Sequence, residues 1–350
     1  MNKLYFVILS IIYLAVIESS WACNIPVFRY ALEYWPQDNY EITIYHKDSF
    51  TAEENIQIEK LREYSNSKDV NINISIIDLS IENNEIHKNI PDSSPDLAYP
   101  RMIVNYPTVT NIKDNVWDTP VNSDNISKLI DSPVRQKICR DILDENSAVW
   151  ILLESGDKEK DDNIENFLET YLKELEGTLK LPDPVEGNNY VVGDEPEVYP
   201  DKIKFSLHRL SRNDPQEQLT IQMLLNTESD LGFYNEPLAF PVFGRGRILY
   251  ALVGKGITKE NVEDTCKFIL GPCSCVVKDL NPGIDLLMHL DWNSSIKESP
   301  VSGIAATIDT STNDVSNNII RNIILAVAFL LLVVIMVIYI IIKNKYRKVV

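Results

Sequence analysis

The run Ala148–Glu154, AVWILLE, is the segment that most restricts what this chain can fold into. An apolar stretch this short, bounded by polar residues, reads as a strand buried on both faces, so both sides of its sheet must be covered. The next segment supplies one cover. Ile164, Phe167, Leu168, Tyr171, Leu172, Leu175 and Leu179 recur at steps of three and four and mark an amphipathic helix. Ile203–Leu210 then reads as a strand. Asp214-Pro215-Gln-Glu217 supplies an N-cap, a proline at the first helical position and a capping glutamate for a helix ending near Asn226. Phe240-Pro241 precedes a hairpin of Val242–Phe243 and Ile248–Val253, turned by Gly244-Arg-Gly-Arg247, and Thr258–Leu270 closes this half as a helix.

The first half repeats that order. Glu41–His46 alternates as a strand, and Thr51-Ala-Glu-Glu54 is a capping box opening a helix to about Tyr64. Val70–Leu79 is a second strand with Ile72, Ile74 and Ile76 in period two. Tyr99-Pro100 leads into a strand at Arg101–Tyr106, a hairpin at Lys113-Asp114-Asn115 and a helix from Asn125 to about Leu143. Each half thus reads β-α-β-α, X-Pro, β-β-α, an order that resembles the thioredoxin fold. The resemblance implies two tandem thioredoxin-like units, with Pro100 and Pro241 as cis-prolines. A dithiol enzyme of that fold needs Cys-x-x-Cys where the first strand meets the first helix, because the helix N-terminus lowers the thiol pKa there. This chain has His46-Lys-Asp-Ser-Phe-Thr51 and Glu154-Ser-Gly-Asp-Lys158 at those junctions. Neither contains a cysteine, which argues against dithiol exchange, and no hydrolase motif stands elsewhere.

The ends of the chain speak to location. Residues 1–22 have Lys3, an apolar run from Leu4 to Ile17 and the small-x-small triplet Ser20-Trp-Ala22, the pattern of a secretory signal. A lipoprotein signal with Cys23 lipidated is the other reading. Ile323–Ile342 is an uncharged stretch without proline that would reach about 30 Å as a helix, the thickness of a bilayer core. Four basic residues follow it and only Arg321 lies close before it, so the tail would be cytoplasmic. The expected layout is a signal at 1–22, thioredoxin-like units at 23–146 and 147–292, a Ser/Thr/Asn-rich stalk at 293–320, a transmembrane helix at 321–342 and a cytoplasmic tail at 343–350. The body would lie in the periplasm or at the cell surface.

Charge narrows the partners. The 350 residues include 51 Asp+Glu against 33 Lys+Arg, a net −18. The tail and Arg321 hold five positive charges and Lys3 cancels Glu18, so residues 23–320 carry −23. Nucleic acid is an unsuitable partner, since binding its backbone depends on Lys and Arg. A protein partner at the outer membrane face, with the membrane itself met through Ile323–Ile342, is the expectation.

Five cysteines in an exported chain leave at least one without an internal mate. Cys139 and Cys266 sit in apolar helical contexts and read as buried thiols. Cys273-Ser-Cys275 is the exception: one sulfur could pair with Cys23, the two could form a labile disulfide, or they could hold Cu or Zn between thiolates. Lys278, Asp285 and His289 follow, with Asp285 and His289 a helical turn apart. Arg245 and Arg247 form a basic hairpin tip, suited to an anion or a partner. The long acidic loop Pro182–Pro200 with Tyr190 and Tyr199 is another candidate partner-binding edge.

Three blocks bring a second resemblance: Cys23-Asn-Ile-Pro-Val-Phe-Arg-Tyr-Ala-Leu-Glu33, Phe240-Pro-Val-Phe-Gly-Arg-Gly-Arg247, and Cys273-Ser-Cys-Val-Val-Lys278 with Asn281-Pro-Gly283 and Asp285-Leu-Leu287. They are similar to the signature blocks of a family of uncharacterised exported bacterial proteins. That similarity implies an extracytoplasmic bacterial setting with Cys23 and the paired cysteines as shared features, and it brings no activity. The functional expectation is a membrane-anchored extracytoplasmic binding or assembly module without a cofactor. The alternative is a thiol-redox or soft-metal protein working through Cys273 and Cys275.

Overall fold

The computed structural model describes residues 25–81, 98–182, 202–272, 278 and 281–296. They belong to one unit of the chain. Helix α1 (Val27–Tyr34) comes first and buries Val27, Ala31 and Leu32. Strand β1 (Tyr40–His46) is followed by α2 (Ala52–Ser67), β2 (Ile72–Asp78), β3 (Arg101–Asn105) and β4 (Asn115–Pro120). Strands β1 and β2 run parallel, with Ile42 beside Ile74, and β3 lies antiparallel on the other side of β1, with Val104 beside Ile42. The sheet order is β2-β1-β3-β4.

Helices α3 (Ser123–Ile130) and α4 (Pro133–Leu143) lead to β5 (Ala148–Leu153), α5 (Lys158–Thr178), β6 (Phe205–Leu210), α6 (Gln218–Leu225), β7 (Leu238–Phe243), β8 (Arg247–Ile248), β9 (Leu252–Val253), α7 (Lys259–Leu270), β10 (Ile284–Asp285) and α8 (Trp292–Ser295). The second sheet repeats the pairing of the first: β5 is parallel to β6 and antiparallel to β7, and β7 pairs with β8. It is larger, because β10 adds beyond β8 and β9 joins β7.

All six residues of β5 are buried, as its apolar run requires. Ala148, Trp150 and Leu152 face α5 and α7, where Leu168, Leu172, Val262 and Cys266 complete one core. Val149, Ile151 and Leu153 face the other way. They share a core with Ile42, Ile44, Met102 and Ile138 of the first half. The two halves therefore meet through a common apolar interior.

These observations correct the expected architecture. Two tandem thioredoxin-like units ending in a membrane helix give way to a mixed α/β body with two sheets and a shared core. No helix among the described residues is long and apolar enough to cross a membrane, and the segment 321–342 lies outside those residues, as does the expected signal at 1–22. Tyr99–Pro100 is cis, but Pro241 is not. Pro241 sits inside β7, opposite Trp150 of β5, at the gap between the stretches paired with β8 and β9. A proline fits an inner strand where its neighbour's ladder is interrupted, with no cis bond needed.

The helix expected from Asn125 to Leu143 is two helices. Ser132 caps α4 through Arg135 N and Pro133 occupies its first turn. Proline keeps the preceding residue out of the helical region, so the chain breaks there. Glu217 also departs from its expected role. Its Oε1 accepts from Val134 N at 2.6 Å, so it caps α4 rather than α6, and Oε2 has no hydrogen-bond partner. Beside it, Arg135 is fully buried. Its guanidinium donates to the carbonyls of Lys128, Leu129 and Ile130 at the end of α3 and to Leu287 at 3.0 Å. Helix C-termini leave such carbonyls without partners, and a cation there also meets the negative end of the dipole.

Replacing Arg135 with Met is expected to cost about 3–5 kcal/mol, because several buried carbonyls lose a charged donor at once. Urea unfolding checks this. Because the core is shared, wild-type protein should show one midpoint by Trp fluorescence and by circular dichroism. Two separate midpoints would show halves that unfold independently.

Candidate functional site

The segment from Lys278 to Trp292 carries Lys278, Asp285 and His289, three of the residues singled out in the sequence. It enters beside β8, where Gly283 adopts φ +115°. A Cβ there would stand 2.3 Å from the Ile248 carbonyl oxygen, so only glycine lets the chain lie this close over the strand. Ile284 and Asp285 then pair with Ile248 and Arg247. Beyond them the chain runs as a strap through the interior. Leu286 N donates to Gly246 O at 2.9 Å, and Asn71 holds both Leu286 O and Met288 N. Leu290 N donates to Asp69 O at 2.7 Å, and Leu286, Leu287 and Met288 are fully buried.

Arg247 and Asp285 are 6% and 3% exposed and joined at 3.0 Å. Arg247 also donates to the carbonyls of Pro282 and Asn281 and lies over the Trp35 ring at 5.7 Å. The other Asp285 oxygen accepts from Asp38 N at 2.8 Å and from the Lys278 ammonium. Lys278 bridges onward to Asp38 Oδ2 at 2.8 Å and to Pro36 O. Burial, then repulsion from Asp285, pushes the Asp38 carboxyl above its ordinary value, against the pull of Lys278 and Arg247. Two cations and two carboxylates thus form a closed clasp between the segment after α1 and the C-terminal strap. Tyr40 adds an O–H···O bond to the Asp285 carbonyl at 2.8 Å.

Arg245 plays a different part. Gly244, at φ +58°, lets the β7–β8 turn press against α1, where a Cβ would meet that of Ala31 at 2.7 Å. Arg245 can then donate to Leu32 O at 2.7 Å and Glu33 O at 3.2 Å, capping the C-terminus of α1. The two arginines of the expected basic tip therefore separate: Arg247 turns inward to the clasp and Arg245 covers a helix end. His289 stands apart from Asp285, since residues 286–290 are not helical; its ring meets Tyr64 edge-on at 5.1 Å.

At the strand–helix junctions where a dithiol would act, carboxylates fill the space. Asp161 accepts from Ser155 N and Oγ at 2.8 Å and from Gly156 N at 3.1 Å. Thr51 and Glu54 complete the expected capping box in the first half. Cys139 and Cys266 are buried free thiols, and burial pushes Cys139 up to about 12. No group of three His, Cys, Asp or Glu stands ready to hold a metal among the described residues. Cys23, Cys273, Cys275, Tyr190 and Tyr199 lie outside those residues.

One exposed feature has no counterpart in the sequence reading. Phe233 is 85% exposed, and Tyr234 beside it is partly so. Leu231, buried in the core, anchors their turn, and Tyr234 donates to Asp230 Oδ2 at 3.0 Å. Glu228, Asp230 and Glu236 surround the tip in sequence. The signal was available as an aromatic pair, Gly232-Phe-Tyr234, in an aperiodic acidic stretch. The chain matches no protein-family model and no curated protein sequence.

Two outcomes follow for the clasp. Asp285→Asn strands the buried Arg247 and should cost about 3–5 kcal/mol in urea unfolding. Asp38→Asn should cost much less at neutral pH. Its folded pKa is raised, so ionisation of Asp38 opposes folding as pH climbs through that value, and the amide removes this burden. A further outcome concerns the expected pairing of Cys23. Pro26 and Pro272 form an antiparallel bridge, with Val27 N donating to Gly271 O at 3.0 Å. Peptide mass spectrometry of protein made in an oxidising compartment should find Cys23 bonded to Cys273 or Cys275. Free Cys23 would exclude the staple.

Proposed function

We propose that this chain is a binding or assembly module that engages a protein partner through the Phe233–Tyr234 tip. The observation that carries this reading is the 85% exposure of Phe233 on a turn whose base is anchored in the core. Leaving so large an apolar ring in water forgoes its burial, roughly 1.5–3 kcal/mol when complete. Aromatic side chains presented on rigid turns are the anchors that dominate protein interfaces. The acidic residues around the tip favour a partner pocket lined by Lys or Arg, which would also speed encounter.

A photo-cross-linking residue placed at 233, with another at exposed Ile56 on α2 as control, tests the reading in the source cells. Position 233 should give one discrete adduct whose yield falls as salt is raised, and position 56 should not. Equal labelling at both positions, or none at 233, would sink it. Phe233→Ser should change stability by no more than about 0.5 kcal/mol, so loss of partner binding in that variant would not reflect unfolding.

A further inference from the structure

A cavity of about 340 Å³ opens where the segment after α1, the end of α2, the start of β2 and the strap converge. Its walls include Lys68, Arg245, Gln37, Asn39, Asp291 and Trp292. Two of these are cations without a counter-ion. Arg245 spends Nε and Nη2 on backbone carbonyls, leaving Nη1 unengaged, and no carboxylate lies within ion-pair distance of it among the described residues. Burial alone holds its pKa down, with no neighbouring charge in compensation. Lys68 has no hydrogen-bond or ion-pair partner among the described residues. It also stands at φ +62° as the C-cap of α2, a place that ordinarily goes to glycine. What sets Lys68 and Arg245 together is that they line the same cavity.

The other walls offer acceptors. Gln37 donates its amide N–H to Arg245 O and Asn39 donates to Asn73 Oδ1, so Gln37 Oε1 and Asn39 Oδ1 stay open. The Asp291 carboxylate already caps Ser294. Pro36, Val70, Ile72 and Trp292 give the cavity an apolar side. Cavities that bind small molecules commonly pair such walls with a few placed polar groups, and this volume is at their lower end.

We infer that this cavity is a binding site for a small carboxylic acid that carries a hydrogen-bond donor, such as a hydroxy acid or a free amino acid. The carboxylate is held between Arg245 and Lys68, and the hydroxyl or ammonium meets Gln37 and Asn39. Guanidinium and ammonium donors to a carboxylate are the strong charge-assisted kind. The site is separate from the Phe233 tip and does not depend on it.

Thermal-shift titration of the full chain tests this with lactate, malate, citrate, glycine, serine and glutamate. Malamide serves as the neutral analogue, and chloride and phosphate as plain anions. At least one acid should raise the wild-type Tm in a saturating way, with malamide and chloride inert. Lys68→Gln, which removes no contact within the protein, should weaken that acid about tenfold, and Arg245→Gln at least as much. Because Arg245 also caps α1, the Lys68 variant is decisive if the Arg245 variant folds poorly. No response to any acid, an equal response to phosphate, or unchanged affinity in Lys68→Gln would overturn the assignment.

Discussion

The carboxylate of Asp285 is the interaction on which the rest of the structure depends. It takes Arg247 on one oxygen and Asp38 N with Lys278 on the other, while its own carbonyl accepts from Tyr40. These partners come from the segment after α1, from β1, from β8 and from the strap. Charges buried this deeply are costly unless every lone pair and proton is matched. Here the matching groups lie far apart in sequence, so the clasp forms only when the N-terminal segment, the second sheet and the strap are all in place. It makes the assembled state specific more than it makes it stable.

Duplicated strand pairing explains why such a clasp is needed. The orders β2-β1-β3-β4 and β6-β5-β7-β8 are alike, and each sheet could cover only part of its apolar surface with its own helices. The faces left over meet each other. The strap lies in that seam, with Leu286 to Met288 filling it and Asn71 and Arg135 holding its backbone. A strap passing between two sheets would bring unpaired peptide groups into an apolar interior. Asn71 answers two of them and Arg135 a third. That accounts for a buried asparagine and a buried arginine in otherwise hydrophobic surroundings.

Much of this was legible in local pattern. The AVWILLE run, the helix built on Ile164 to Leu175 and the Thr51–Glu54 box all behave as their periodicity and capping chemistry require. What escaped was decided between elements. Glu217 looks like the capping residue of the helix that follows it, but Val134 N from another helix reaches it first. Pro241 has the flanking pattern of a strand-initiating cis-proline, yet the interruption between β8 and β9 accommodates it in a strand interior. Asp285 and His289 share a helical spacing that counts for nothing because residues 286–290 are not helical. Spacing reports contact only where secondary structure is regular, and the strap is not.

Arg245 and Arg247 show how far two neighbours can diverge. In sequence they are a symmetric pair between glycines. The turn at Gly244 and Gly246 gives their side chains unlike surroundings. Arg247 meets carboxylates, carbonyls and an indole face, and its charge is fully answered by the protein. Arg245 meets only the carbonyl end of α1, whose dipole answers part of its charge at most. No carboxylate among the described residues comes within ion-pair distance of it, although Asp291 lines the same cavity. Arg245 and Lys68 both line one cavity. Charge left open at that spot, beside a clasp in which every other charge is closed, is the feature of the fold that points outward to a ligand.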